Sequence, residues 1–359
     1  MKERLRKTFL YSISAFALCA VIACSSSDSD PEEPEVYIPT PKPLTVPPIL
    51  ARLLPPPIIP ADNPQTEEGI TLGRKLFFDP ILSGDGTQSC ASCHQPEHAF
   101  TDPLQFSVGI DGESGTRNSM PIFNLAWNRT EKFFWDGRAI SVEDQALQPV
   151  TNPIEMHNTW ENAVNSLEND AEYPELFRKA FGTKEITKEL AAKAIAQFER
   201  ILISANSPFD KYLLGEGTLS ESELNGFEIF MDESRGDCFH CHGNENSPLW
   251  TDNIFHNNGL DENFTDKGLS VVTGDPNDDG KFKSPSLRNL AYSAPYMHDG
   301  SIATLESVVD YYNRGGSGGE HTSDIIKPLQ LTQVEQQDLV AFLKSLSQDI
   351  TITVPKIPN

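Results

Sequence analysis

Apolar residues along most of this chain recur at the three- and four-residue spacing of a helix, and almost nowhere at the alternate-residue spacing of a strand. Between residues 187 and 204, Leu190, Ala194, Ile195, Phe198, Ile201 and Leu202 fall on one helical face. Ser220 with Glu223, and Thr332 with Glu335, carry the capping-box pattern that starts a helix: the hydroxyl accepts the third backbone N–H while the acid reaches back. The helix after Thr332 presents Val334, Leu339, Phe342, Leu343 and Leu346 as its expected core stripe. Stretches 83–88, 109–118 and 273–280 are rich in turn-forming residues and read as loops. The pattern predicts an all-α fold with long loops.

The first sixty residues obey other rules. Lys2, Arg4, Arg6 and Lys7 precede an apolar run over 9–23 that is too short and too early for a permanent membrane span, so 1–23 reads as a signal peptide. Val21, Ile22 and Ala23 before Cys24 resemble a bacterial lipobox, which predicts cleavage there and acylation of the Cys24 thiol. Residues 24–60 are rich in Ser, Pro and acids, and read as a disordered tether. The chain from residue 61 onward is long enough for two domains, expected over 61–205 and 206–350.

Charge narrows the partners. The formal net charge is −24, and loss of the basic signal makes it more negative. Nucleic acid and anionic lipid surfaces are disfavoured, whereas a small basic redox protein would be attracted.

The cysteines point to chemistry. Of six, Cys19 lies in the signal and Cys24 is the acylation candidate; the other four form two CxxC pairs, Cys90/Cys93 and Cys238/Cys241, followed directly by His94 and His242. None remains for a disulfide. Thiols three positions apart reach the vinyl edge of one porphyrin from a single helical turn, and the next residue brings an imidazole under the iron. Zinc competes at Cys238, His240, Cys241 and His242, but zinc has no need of a histidine at the same offset twice. Two covalent c-type haems are therefore expected, one in each of two cytochrome-c-like domains, with His94 and His242 as proximal ligands. The occupant of the other face of each iron decides between electron transfer and peroxide chemistry.

Three further segments carry a family likeness. Phe134-Trp135-Asp136-Gly137-Arg138, the run from Gln145 to Met156 ending in Asn152-Pro153-Ile154-Glu155-Met156, and Ala294-Pro295-Tyr296-Met297-His298-Asp299-Gly300 resemble the bacterial di-haem cytochrome c peroxidase superfamily. That superfamily includes the enzyme that matures methylamine dehydrogenase by oxidising tryptophans. The likeness covers residues 61–348.

The resemblance implies that the N-terminal haem is the peroxide site, with Glu155 as its distal acid and base. O–O cleavage needs a proton taken from one peroxide oxygen and one given to the other, which a single carboxylate can do. Gln145 and Pro149 match distal-pocket positions, Gln145 as a hydrogen-bond donor. Trp135 matches the tryptophan between the haems. Asn118 with the carbonyls of Ser293 and Pro295 matches an inter-haem calcium site whose shell water would complete.

Two positions depart from the family pattern. Where some members place a blocking histidine sixteen residues after the proximal one, this chain has Ile110, which cannot ligate iron; His98 is too near His94 in sequence to reach the opposite face. An open or water-bound N-terminal haem is expected. Fourteen residues after His298, where other members place a methionine, stands Tyr312, as in the maturation enzyme. A phenolate there would stabilise Fe(III) and lower the potential, while Met297 is the rival soft donor. Tyr311, about 100° away on a helix, should face elsewhere.

The expected activity is reduction of H2O2 to water with electrons from a small exported cytochrome c or cupredoxin, in the periplasm or cell envelope. Oxidation of a partner protein by long-range hole transfer is the alternative, and a non-enzymatic electron carrier the third reading. A homodimer stays open.

Overall fold

The computed structural model describes residues 37–349; the signal peptide at 1–23 and the acylation of Cys24 lie outside the described residues. The described chain is mostly helical, with a single two-stranded antiparallel pair, β1 (Phe255–His256) and β2 (Phe282–Lys283). No described helix is long and apolar enough to cross a membrane.

Two separate cores form. The first draws on α2 (Glu67–Phe78), α4 (Val142–Thr151), α5 (Trp160–Asn169), α6 (Tyr173–Phe181) and α7 (Lys188–Arg200), which surround Leu76, Phe77, Phe100, Phe177 and Phe198. The second draws on α8 (Pro208–Leu214), α9 (Glu221–Met231), α12 (Leu305–Asn313) and α13 (Gln333–Ser345), around Phe209, Phe230, Trp250 and Phe342.

Each core is organised by one helix crossing of the same design. In α2, Gly73 meets α7 so closely that a Cβ would lie 1.8 Å from the Ala194 carbonyl oxygen. In α9, Gly226 meets α13 so that a Cβ would lie 1.9 Å from the Asp338 carbonyl oxygen. Only glycine permits such backbone contact. In each case the glycine helix comes shortly before a CxxCH motif and its partner is the last helix of that core, a repeat that the diverged residues of the two halves conceal.

Thr187 caps α7, and Ser220 and Thr332 form full capping boxes on α9 and α13. Ala194, Ile195, Phe198 and Leu202 are buried, as are Leu339, Phe342, Leu343 and Leu346. Val334 does not join that stripe; it is 64% exposed, because it lies in the first turn of α13, ahead of the crossing with α9.

The expected tether is overturned over 37–60. Pro48 starts a short helix, α1 (Pro48–Leu53), in which Ile49 and Leu50 are fully buried. With Leu44, Val46, Leu53 and Leu54 they pack on Ala126, Trp127, Ala205 and Leu249. Tyr37 and Thr40 hydrogen-bond to Glu68, and Ile58 N–H donates to the Ala126 carbonyl. The bulk composition hides this: a few well-spaced aliphatic residues are enough to dock a Pro-rich strap whose unfolded entropy is already low.

Candidate di-haem active site

The first CxxCH motif is carried by α3 (Cys90–Cys93), which begins with a capping box between Ser89 and Ser92. His94 ends that turn. Its Nδ1 lies 2.9 Å from the Phe100 carbonyl, which fixes the ring and leaves Nε2 as the metal-facing nitrogen. Burial lowers the His94 pKa, while the Phe100 bond works against that shift. Burial likewise pushes the Cys93 thiol up to about 11.

Glu155 reaches this motif through a turn. The helix α4, with half-buried Gln145 on it and Pro149 within it, ends at Thr151. Asn152 then accepts from Ile154 N–H through Oδ1 at 3.0 Å and donates to Glu155 Oε1 through Nδ2 at 2.6 Å. Burial raises the Glu155 pKa; the Asn152 bond and the charge of Arg138 oppose the rise. The carboxylate is near enough to raise both Cys90 and Cys93. Ile110, on a separate loop, meets this turn, its N–H donating to the Glu155 carbonyl at 3.1 Å.

The second motif is carried by Cys238 and α10 (Phe239–His242). Cys238, Cys241 and His242 line a cavity of about 1390 Å³ including the space at its mouth, and Trp135, Leu287, Leu305, Met297, His298 and Tyr312 line it too. Burial pulls the His242 pKa down to about 4. Its Nδ1 is buried without a hydrogen-bond partner, although the Pro285 and Trp250 main chain lies nearby. His240 turns away to Asp237, 2.5 Å from Nδ1, which removes it from a zinc-type cluster with the thiols.

Tyr312 and Met297 thus share one cavity. Burial raises the Tyr312 pKa, and the Asn258 amide donates to its oxygen at 3.1 Å. Tyr311 points instead to the Asn258 carbonyl at 3.2 Å and is not among the cavity-lining residues.

Between the two motifs runs a polar seam. Trp135 Nε1–H donates to the Asn118 carbonyl at 2.8 Å, while the Trp135 carbonyl accepts from Lys283 N–H at 2.9 Å. Asn118 N–H donates to the His298 carbonyl at 2.7 Å. Its side-chain Nδ2 is engaged by the Leu104 and Gln105 carbonyls, each at 3.1 Å, leaving Oδ1 as the oxygen that could meet a cation. Arg117 clamps the seam, bidentate on Asp266 and also bonded to Asp136.

The family model for di-haem cytochrome c peroxidase matches residues 67–218. The methylamine utilization protein MauG of Methylorubrum extorquens is 39% identical over 83% of this chain and 84% of its own length. This chain belongs to the di-haem cytochrome c peroxidase family. The cytochrome-c peroxidase IdrP1 of a Pseudomonas species is 36% identical over 82% of this chain and 84% of its own. Among solved structures, a MauG-like protein associated with microbial copper homeostasis superposes with a TM-score of 0.77 at 38% identity, covering 83% of this chain and 94% of that one. As a di-haem cytochrome c peroxidase, the protein is an oxidoreductase that works with two haems.

For this peroxidase the sequence motifs named the donors and missed their supports. Asn152, which holds Glu155 Oε1, stood in the sequence only as a member of the family-like run that ends at Met156. The His256–Asp252 pair, 2.7 Å apart at the cavity edge, and Asn258 carried no signal, because each depends on loops that converge only in the fold.

Proposed function

We propose that the chain reduces H2O2 to water at the His94 site, with Cys90/Cys93 and Cys238/Cys241 each holding a c-type haem by thioether bonds in two cytochrome-c-like domains. Paired thiols beside a histidine at both sites, and the large apolar cavity at the second, fit that cofactor. The repeated glycine crossing supports the two-domain reading at 61–205 and 206–350. The observation that carries the function is the turn that joins Ile110 and Glu155 by a main-chain bond. It brings Glu155 to the first motif, and position 110 carries an aliphatic side chain, which cannot ligate iron.

A haem held through His94 supplies the iron at which peroxide is reduced. Glu155 does the proton work. With Oε1 held by Asn152, Oε2 takes the proton from one peroxide oxygen and returns it to the departing one. Gln145 on α4 orients the peroxide by donating to it. Two electrons and two further protons complete the conversion to two waters, the electrons passing by way of the His242 site and Trp135, which touches both halves. A small cytochrome c or cupredoxin supplies them, drawn by the acidic surface.

At the second site Tyr312 would hold the iron in preference to Met297: both line the cavity, and the Asn258 amide supports the Tyr312 oxygen at 3.1 Å against 3.5 Å to the Met297 sulfur. Such a ligand favours oxidised iron, which also supports the second reading, oxidation of a partner protein through long-range hole transfer. The free Oδ1 of Asn118, with the Ser293 and Pro295 carbonyls, suits a hydrated Ca²⁺. Export to the periplasm or cell envelope and anchoring through acylated Cys24 complete the reading, and a homodimer is compatible with it.

The test is direct. Ferric holoprotein mixed with one equivalent of H2O2 should change its haem spectrum rapidly without prior reduction; a spectrum that stays the same until the protein is half-reduced would overturn the open-site reading.

A further inference from the structure

The second cavity contains two rival donors, and one side chain touches both. Asn258 Nδ2 lies 3.1 Å from the Tyr312 phenolic oxygen and 3.5 Å from Met297 Sδ. Its orientation is fixed from behind. Asn258 Oδ1 accepts from Leu260 N–H at 3.3 Å, and its main-chain carbonyl accepts from Tyr311 Oη–H at 3.2 Å. Ser317 N–H donates in turn to Tyr311 Oη at 3.3 Å. Consecutive tyrosines on α12 therefore clasp this one residue, Tyr311 by its main chain and Tyr312 by its side chain. With both carbonyl oxygens engaged, the two amide hydrogens are what Asn258 presents to the cavity.

We infer that Asn258 selects the iron ligand of the His242 site, presenting the Tyr312 oxygen and holding the Met297 sulfur back. The inference rests on the reading of Tyr312 as that ligand. A phenolic oxygen has two lone-pair directions; one accepts from Asn258, and the other is left for the metal. The second amide hydrogen is within reach of the thioether, a weak acceptor that a nearby N–H can occupy. Met297 is also held with φ at +75°, a backbone setting that unbranched L-residues rarely adopt, so its side chain is aimed by the surrounding fold. An Asn that merely filled space would have no reason to place its donor between the two candidate ligands. Without that donor, the oxygen loses its support and the sulfur is released. The soft donor then takes the position, as in ordinary cytochromes c.

The experiment compares holoprotein spectra and potentials across a small set of variants, with haem content measured for each. Asn258→Leu should lose the phenolate signature, gain the near-infrared charge-transfer band of thioether-ligated ferric haem, and show a raised potential at the second haem only. Asn258→Leu combined with Met297→Leu should lack both signatures and become high-spin. Should Asn258→Leu fail to retain haem, Asn258→Asp keeps the size and the Leu260 contact while replacing the donor by an acceptor, and should give the same ligand exchange. Wild-type coordination in whichever variant retains both haems, beside a changed Tyr312→Phe spectrum, would overturn this inference alone. An unchanged Tyr312→Phe spectrum would overturn it together with the ligand reading.

Discussion

In the N-terminal half, a loop and a turn meet near the CxxCH motif: Ile110 bonds to Glu155 main chain, and Asn152 aims the carboxyl. In the C-terminal half the corresponding space is a cavity into which Tyr312 and Met297 both face, with Asn258 between them. Behind these differences the two halves share a plan, a glycine-mediated helix crossing that brackets the haem motif. The imidazoles differ as well. His94 is braced by the Phe100 carbonyl, whereas His242 Nδ1 is buried without a partner. The common architecture does the packing, while the two sites differ in the few residues gathered around each motif, Glu155 and Asn152 at one and Tyr312, Met297 and Asn258 at the other.

The sharpest way to break that contrast is at Glu155. Glu155→Gln should slow the ferric reaction with H2O2 by about 10²–10⁴-fold, measured by stopped flow, and leave the spectrum of the second haem as in wild type. Equal kinetics would return Glu155 to a structural role and make the two halves alike.

Next in size is Tyr312→Phe. Removal of a hard anionic donor should raise the potential of the second haem and alter its spectrum, with the first haem unchanged, in a redox titration followed by electron paramagnetic resonance. If the change appears in Met297→Ala instead, the ligand assignment moves to the sulfur.

The smallest effect concerns pH. Glu155 acts as a base only when ionised, and burial raises its pKa. The peroxide reaction should therefore fall away on acidification at a pH above the ordinary glutamate range. Asn152 favours the charged form by donating to it, so Asn152→Ala should move this acid limb to still higher pH, with only a modest loss on the alkaline plateau. An unshifted limb would mean that another group controls it.

How much of the molecule is readable from its sequence depends on the range of the interactions. The CxxCH motifs and the capping boxes at Ser220 and Thr332 are local, a few residues each, and the sequence states them outright. The apolar stripe of α7 is equally legible, since burial follows its period. Val334 fails because a stripe predicts a face and not where along the helix its partner begins. The segment 37–60 fails for a different reason: composition averages over Ile49 and Leu50, and docking depends on where those few residues land. Asn258 is invisible because its meaning comes from Tyr312 and Met297, far away in sequence and adjacent only once folded.

That docked strap has one more consequence. Leu44, Ile49 and Leu53 lie against a cluster to which the first half contributes Trp127 and the second contributes Leu249, Leu213 and Leu214. A segment that precedes both halves thus works as a splint across their joint. If electrons tunnel from one half to the other, this contact would help to hold the gap they cross.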